Sequence, residues 1–136
     1  MTTLEISPRV AERLSGEEVI WLTTVRRDLG PTPTPVWFLW TEGGFLLFSE
    51  PGTAKLRNIA AAPGVTLHLN SDAHGGDVAV FTGKATIDES GPTAAEWAAY
   101  VEKYERGFAS IAMSPEEFRR SYSVLVRVAP DRLRAW

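Results

Sequence analysis

Apolar residues in this chain cluster in short runs of β-formers separated by turn chemistry. Val19-Ile20-Trp21-Leu22-Thr23-Thr24-Val25 reads as a strand. Arg26-Arg27-Asp28-Leu29-Gly30 turns the chain into a second strand from about Thr32 to Trp40. Pro33 and Pro35 cannot donate to a ladder, so that strand begins at an edge or a bulge, where ligands are often met. Glu42-Gly43-Gly44 then leads into Phe45–Ser49, and Val65, Leu67 and Leu69 alternate with polar residues on the next strand. Ser71–Gly76 is a loop. Asp77–Ile87 is a long strand in which Gly83 marks a bend or a close backbone approach, and Ser123–Val128 and Asp131–Trp136 are two further strands.

Helical spacing appears in four places. Ser7 caps a helix with Pro8 in its first turn, an apolar stripe of Val10, Ala11 and Leu14, and an end at Gly16. Thr53 is the N-cap expected for a short helix that buries Leu56, Ile59 and Ala60 and is closed by Pro63 and Gly64. Thr93-Ala94-Ala95-Glu96 is a capping box opening a helix to about Arg106, with a core face of Ala94, Trp97, Ala98, Val101 and Tyr104. Ser114-Pro115-Glu116-Glu117 is a second box. Hairpin-like turns early and helices as insertions predict an antiparallel β-barrel with peripheral helices, a mainly β or α+β fold. A parallel doubly wound sheet needs crossover helices that the first three strands lack. With no repeat or linker, residues 1–136 are expected to form one domain.

Composition changes the picture mainly by exclusion. The chain has 136 residues, 44% hydrophobic and 23% charged, which suits a soluble globular domain. It has no cysteine, so disulfides, thiolate zinc sites and a cysteine nucleophile are excluded, and a reducing cytoplasm is the expected setting. There is no long uncharged apolar run to span a membrane and no signal-peptide pattern. A net charge of -3 argues against a general nucleic-acid binder. His68 and His74 are the only histidines, with no acidic arrangement resembling a metal site beside them. No nucleophile elbow, P-loop or dinucleotide fingerprint occurs, and Glu116 and Glu117 belong to a helix cap. An enzyme with so little side-chain chemistry needs a cofactor.

The stretch Ser49–Gly64 offers the strongest candidate chemistry. Lys55, Arg57 and Asn58 lie beside the positive end of a helix dipole, where amide donors, an ammonium and a guanidinium suit a phosphate. An ordinary surface helix with two solvated cations has the same sequence pattern.

Four segments in order and spacing carry a family resemblance: Trp21-Leu22-Thr23-Thr24-Val25, Pro33-Thr34-Pro35-Val36-Trp37-Phe38, Ala54-Lys55-Leu56-Arg57-Asn58-Ile59 and Gly75-Gly76-Asp77-Val78. The ending Arg127-Val128-x-Pro130-x-Arg132-x-Arg134-x-Trp136 extends it over almost the whole chain. The chain resembles the pyridoxamine 5'-phosphate oxidase-like split-barrel superfamily, and within it the branch of small oxidoreductases that use the deazaflavin coenzyme F420. The resemblance implies a split β-barrel that pairs into a homodimer with cofactors in interface grooves. It implies phosphate contacts from Lys55, Arg57 and Asn58, ring contacts from Thr34, Pro35, Val36 and Trp37, and a segment Gly76, Asp77 and Val78 that closes over the cofactor. FMN is the competing cofactor, and a non-catalytic flavin or deazaflavin carrier is the competing function. F420 has an acidic tail, so a basic path from Lys55, drawn from Arg26, Arg27, Arg106, Arg119 and Arg120, would favour it. Trp37, Phe38 and Trp40 suggest a planar apolar small-molecule substrate. The density of Trp and Phe in Val36–Phe48 exceeds what one barrel wall readily buries, which predicts an apolar dimer interface.

Overall fold

In a computed structural model that describes residues 4–136, seven strands form one antiparallel sheet. They are β1 (Ile20–Val25), β2 (Pro31–Val36), β3 (Leu39–Thr41), β4 (Gly44–Ser49), β5 (Gly64–His68), β6 (Ala79–Asp88) and β7 (Val124–Ala135), in spatial order β2-β1-β5-β6-β7-β4-β3. The sheet curls on itself, so that Ile20, Leu22, Phe45, Leu47, Leu67, Phe81 and Val126 meet in one interior cluster. The helices are α1 (Pro8–Gly16), α2 (Ala54–Ala61), α3 (Ala94–Lys103), α4 (Glu105–Ser110) and α5 (Pro115–Ser121). This is the expected α+β split barrel with peripheral helices. A second cluster lies on the other face of the sheet, where Leu39, Leu46, Phe48 and Leu125 meet Tyr100, Tyr104, Phe108 and Phe118.

β2 is an edge strand paired only with β1, with Pro31, Pro33 and Pro35 opposite Val25, Thr23 and Trp21. Successive amides of a strand point to opposite sides, so prolines at alternate positions put every missing donor on the free edge. The strand expected from Thr32 to Trp40 is broken at Trp37–Phe38. Phe38 is fully buried, and its backbone finds side-chain partners in place of a neighbouring strand. Its N–H donates to Tyr104 Oη at 2.8 Å, and its carbonyl accepts from Lys103 Nζ at 3.0 Å. The Tyr104 hydroxyl lies 2.7 Å from the Glu18 carbonyl and 2.9 Å from that of Phe38. Lys103 Nζ also reaches the Leu14 carbonyl at 3.3 Å and sits 3.6 Å from the Phe38 ring centre.

The two strands expected at the C-terminus are a single strand, β7. Its Pro130 sits opposite Gly83 of β6 at a register shift, and the bulge absorbs the donor that proline lacks. Gly83 makes the close approach its sequence context predicts: a Cβ there would lie 2.4 Å from the Ala129 carbonyl oxygen.

Both capping boxes form as expected, at Thr93/Glu96 and Ser114/Glu117. The core face of the third helix differs. Ala94 and Ala98 are exposed, and the buried stripe is Trp97, Tyr100, Val101 and Tyr104, because the aromatic second cluster takes up bulk that alanine cannot supply. That helix ends at Lys103, since Tyr104 leaves the helical region (φ -105, ψ 19) to turn into α4. Ala11 and Ala60 are likewise exposed, beside the larger residues that define their stripes. In α1 the extra buried residue is Arg13, whose guanidinium donates to the Asn70 carbonyl at 2.6 Å, to the Asp77 carbonyl and to Glu17.

Two outcomes are expected. Gly83→Ala forces a methyl group onto backbone and should cost about 1–3 kcal/mol, read as a lowered Tm. Burial pulls the Lys103 ammonium down to about 8, with Glu18 and Glu17 opposing it. The unfolded value is about 10.4, so between pH 8 and 10 the unfolded chain holds more protons than the folded one. This group's contribution to stability therefore rises with pH across that window. Chemical denaturation at pH 7 and pH 10 should show the rise in the wild type and a smaller one in Lys103→Met.

Candidate functional site: an aromatic cavity at the start of α2

The helix α2 begins after a Pro51-Gly52 turn in which Gly52 takes φ +74. Thr53 occupies the N-cap position with extended backbone, but its hydroxyl makes no cap bond. It lies 3.0 Å from the buried Ser49 Oγ at the end of β4, whose own proton goes to the Glu50 carbonyl at 2.8 Å. No acidic residue stands in the first turn. The first-turn amides of an eight-residue helix are thus left without a side-chain acceptor, at the positive end of its dipole. Lys55 adds a half-buried ammonium. It forms no ion pair or hydrogen bond among the described residues, and burial lowers its pKa, opposed by the charge of Glu50.

Lys55 opens onto a cavity of about 280 Å³. One wall is Thr34, Pro35, Val36 and Trp37, the end of β2 and the start of the break; the other is Phe48, Tyr100, Ile111, Phe118 and Tyr122. Trp37 belongs as much to the second cluster as to the cavity, stacking on Tyr104 (4.6 Å, 7°) and Phe118 (5.6 Å, 17°). Gly107 makes room for it, since a Cβ there would lie 2.8 Å from the indole. The ring wall is therefore held rigidly from behind.

The structure brings Thr34, Pro35, Val36, Trp37 and Lys55 to this one cavity. Asn58, one turn on from Lys55, donates from Nδ2 to Thr24 Oγ1 at 3.0 Å and ties α2 to β1. Thr24 pairs with Thr32 and Leu22 with Thr34, so α2 runs beside the β1–β2 pair at its open end. Arg57 is exposed and donates to the Gly52 carbonyl at 2.6 Å, bracing the turn before the helix. Gly76, Asp77 and Val78 do not line the cavity. Asp77 is paired with Arg9 at 2.7 Å, and this hydrogen bond holds its carboxyl below the usual range. Val78 exchanges backbone hydrogen bonds with Trp136 at 2.8 and 3.1 Å.

A planar ring attached to a phosphate fits these residues. Thr32 Oγ1, on the same face of β2 as Thr34, is buried without a partner among the described residues. Lys55 and the uncapped amides provide cationic donors, and the aromatic walls form a slot. The volume lies just below the roughly 300–1,000 Å³ of drug-sized ligand sites, so one chain surrounds only part of such a ligand. Sequence reasoning missed Phe48, Tyr100, Ile111, Phe118 and Tyr122. Tyr100 was within reach, as it completes the helical stripe of Trp97, Val101 and Tyr104; the others reach the site through long-range packing alone. Neither histidine lines the cavity, and His68 stacks beside Trp21 (6.4 Å, 11°).

Comparison with solved structures places this fold beside several proteins. A conserved hypothetical protein from Mycobacterium tuberculosis aligns over 100% of this chain and 88% of its own, with a TM-score of 0.75 and 22% identity. The haem storage protein HutZ from Vibrio cholerae aligns over 97% and 95%, at TM-score 0.72 and 15% identity. An F420 reductase aligns over 90% and 94%, at TM-score 0.66 and 21% identity. No curated protein matches the chain. The family model described as pyridoxamine 5'-phosphate oxidase matches residues 6–136, and the chain accordingly belongs to that family.

Proposed function

We propose that this protein is an F420-dependent reductase that acts as a homodimer on a planar apolar substrate. The observation that carries the reading is the unpaired, half-buried Lys55 ammonium at the mouth of the aromatic cavity, beside the uncapped start of α2. Burying a charge without a partner is costly, and a phosphate at this place would relieve that cost. Lys55 and the α2 amides hold the phosphate, while Pro35, Val36 and Trp37 lie along the ring. Arg57, exposed on α2, and Arg119, packed 5.2 Å over the ring of cavity residue Phe48, extend positive charge from the site toward an acidic tail. The bound deazaflavin would supply the hydride. The chain's own part is orientation at the ring and exclusion of water by the apolar walls. An F420 reductase is among the proteins that share this fold, so the fold is one that can hold such a cofactor.

The reason for expecting a dimer shifts with the structure. Phe38 and Phe45 are buried in the interior cluster, where Trp40 also packs, while Phe48 is buried in the second cluster and Trp37 packs on the helices, so the aromatic density of Val36–Phe48 is consumed within the chain. The opposite surface now carries the argument. The outward face of β1, β2 and β5 bears Trp21, Thr23, Val25, Pro33, Pro35, Thr66 and His68, all half-exposed or exposed, with no carboxylate, lysine or arginine among them. It runs directly into the cavity wall at Pro35. A second copy docked there closes the part of the ligand site that one chain leaves open. No helix among the described residues is long and apolar enough to cross a membrane.

Fluorescence titration of apoprotein made without F420 should give saturable quenching with F420 and weaker binding of FMN. The reverse order would make the protein a flavin enzyme, and F420 binding without turnover on quinones or enones would make it a carrier. Lys55→Ala should weaken cofactor binding about tenfold or more with Tm unchanged, because charge-assisted bonds are worth about 1.5–3 kcal/mol. Arg57→Ala should have a smaller effect in the same assay. Sedimentation should show a dimer at micromolar concentration, and Thr23→Arg should convert it to monomer and weaken the cofactor with it.

A further inference from the structure

Gly107 lies inside α4 and is buried. Its backbone is ordinary helix: φ is outside the left-handed region, and its carbonyl accepts from the Ile111 N–H at 3.2 Å and the Ser110 hydroxyl at 2.7 Å. Nothing in the backbone therefore asks for glycine, a poor helix former beside alanine. The reason lies across the helix. A Cβ at this position would stand 2.8 Å from Cη2, 3.0 Å from Cζ2 and 3.5 Å from Cζ3 of Trp37, and these are its three nearest atoms. All three belong to the six-membered half of the indole.

The neighbours of that indole leave it room on one side. It stacks on Tyr104 (4.6 Å, 7°) and Phe118 (5.6 Å, 17°) and stands edge-on to Phe108 (5.9 Å, 75°). All three are buried, and Tyr104 is tied to the backbone of Phe38 and Glu18. The empty space that Trp37 borders is the Lys55 cavity. A methyl group on Gly107 needs at least 3.4 Å for an ordinary contact, so the ring moves toward that space. The cavity is about 280 Å³, small enough that such a shift takes away part of what a ligand needs.

We infer that Gly107 is a positioning residue of the ligand site: by carrying no side chain it sets how far the Trp37 indole stands into the cavity, and with it the clearance left for a planar ligand. This rests on the reading of the cavity as a cofactor-ring site. Gly107 touches no ligand itself and acts through Trp37. Helix stability in α4 is given up so that the slot keeps its width.

The test is a double-mutant cycle on apoproteins titrated with F420 and with FMN. Phenylalanine at position 37 lacks the three atoms that the methyl group meets. Gly107→Ala should bind the preferred cofactor about tenfold more weakly than wild type. In the Trp37→Phe background the same substitution should leave affinity unchanged. The crystal structure of the Gly107→Ala apoprotein should show the indole displaced into the cavity with α4 in place, and it decides the matter if Trp37→Phe alone loses the ligand. Equal affinity of Gly107→Ala and wild type overturns the assignment. So does an equal loss in both backgrounds, which a merely structural glycine would give, or an indole that stays while α4 moves. Failure of Gly107→Ala to fold also overturns it, since the ring then had no space to enter. Wild type that binds neither cofactor overturns the ring-site reading itself, and this assignment with it.

Discussion

A buried backbone amide and carbonyl must find partners, and at Phe38 they find them in side chains of the helical layer. The edge strand β2 cannot continue into β3 without turning inward, and the turn leaves Phe38 without a ladder. Tyr104 and Lys103, adjacent at the end of α3, supply the missing donors and acceptor, and the same two side chains reach the carbonyls of Leu14 and Glu18. One pair of residues thus joins the end of α1, the entry to β1, and the break between β2 and β3. The cavity is a consequence. Because the chain turns at residues 37–38, Trp37 swings onto Tyr104 and Phe118, and Val36 and Trp37 become one wall of a slot with the helices behind them.

Several of the charged groups that are wholly or partly buried elsewhere in the molecule are closely paired. Arg13 spends its guanidinium on two carbonyls and the Glu17 carboxylate, and Arg127 is matched to Glu96 and Asp88 at 2.7 Å; Arg127 holds the Glu96 carboxyl down to about 2, and Ser90 together with Arg127 holds that of Asp88 down to about 2. Among the described residues, Lys55, the first-turn amides of α2 and, on the same β2 face as cavity residue Thr34, the Thr32 hydroxyl have no side-chain partner, and they gather around one end of the barrel. Unpaired buried groups are tolerated where something else supplies the partner. Their concentration at one place is a physical argument for a ligand that does not depend on any motif.

Much of this was legible locally. The two capping boxes, Ser7 and Gly83 each follow from a few neighbouring residues and behave as their chemistry dictates. Lys55 and the proline-marked strand were recognisable as one site only through their family pattern, since nothing in local sequence says that residues 34–37 and 55 meet. Thr53 takes the N-cap position, but its hydroxyl meets Ser49, four residues earlier, and makes no cap bond, a contact that propensity does not carry. The break at Trp37–Phe38 was invisible for a stronger reason: its cause lies more than sixty residues away, in Tyr104. The aromatic wall of Phe48, Tyr100, Phe118 and Tyr122 was hidden in the same way, as ordinary core residues of separate elements.

The three prolines of β2 limit how a second copy can approach. A free sheet edge normally invites another strand, which would extend the sheet and bury the cavity entrance beside it. With Pro31, Pro33 and Pro35 all presenting their ring nitrogens to the open edge, that ladder has no donors on this side. Edge-to-edge pairing is thereby disfavoured, while the outward face of β1, β2 and β5 remains available for packing. Those same prolines put apolar rings on that face, opposite Trp21, Thr23 and Val25. Blocking the edge and furnishing the face are one feature of the sequence. In the proposed dimer, this would place Pro35 between the cavity and the second copy's surface.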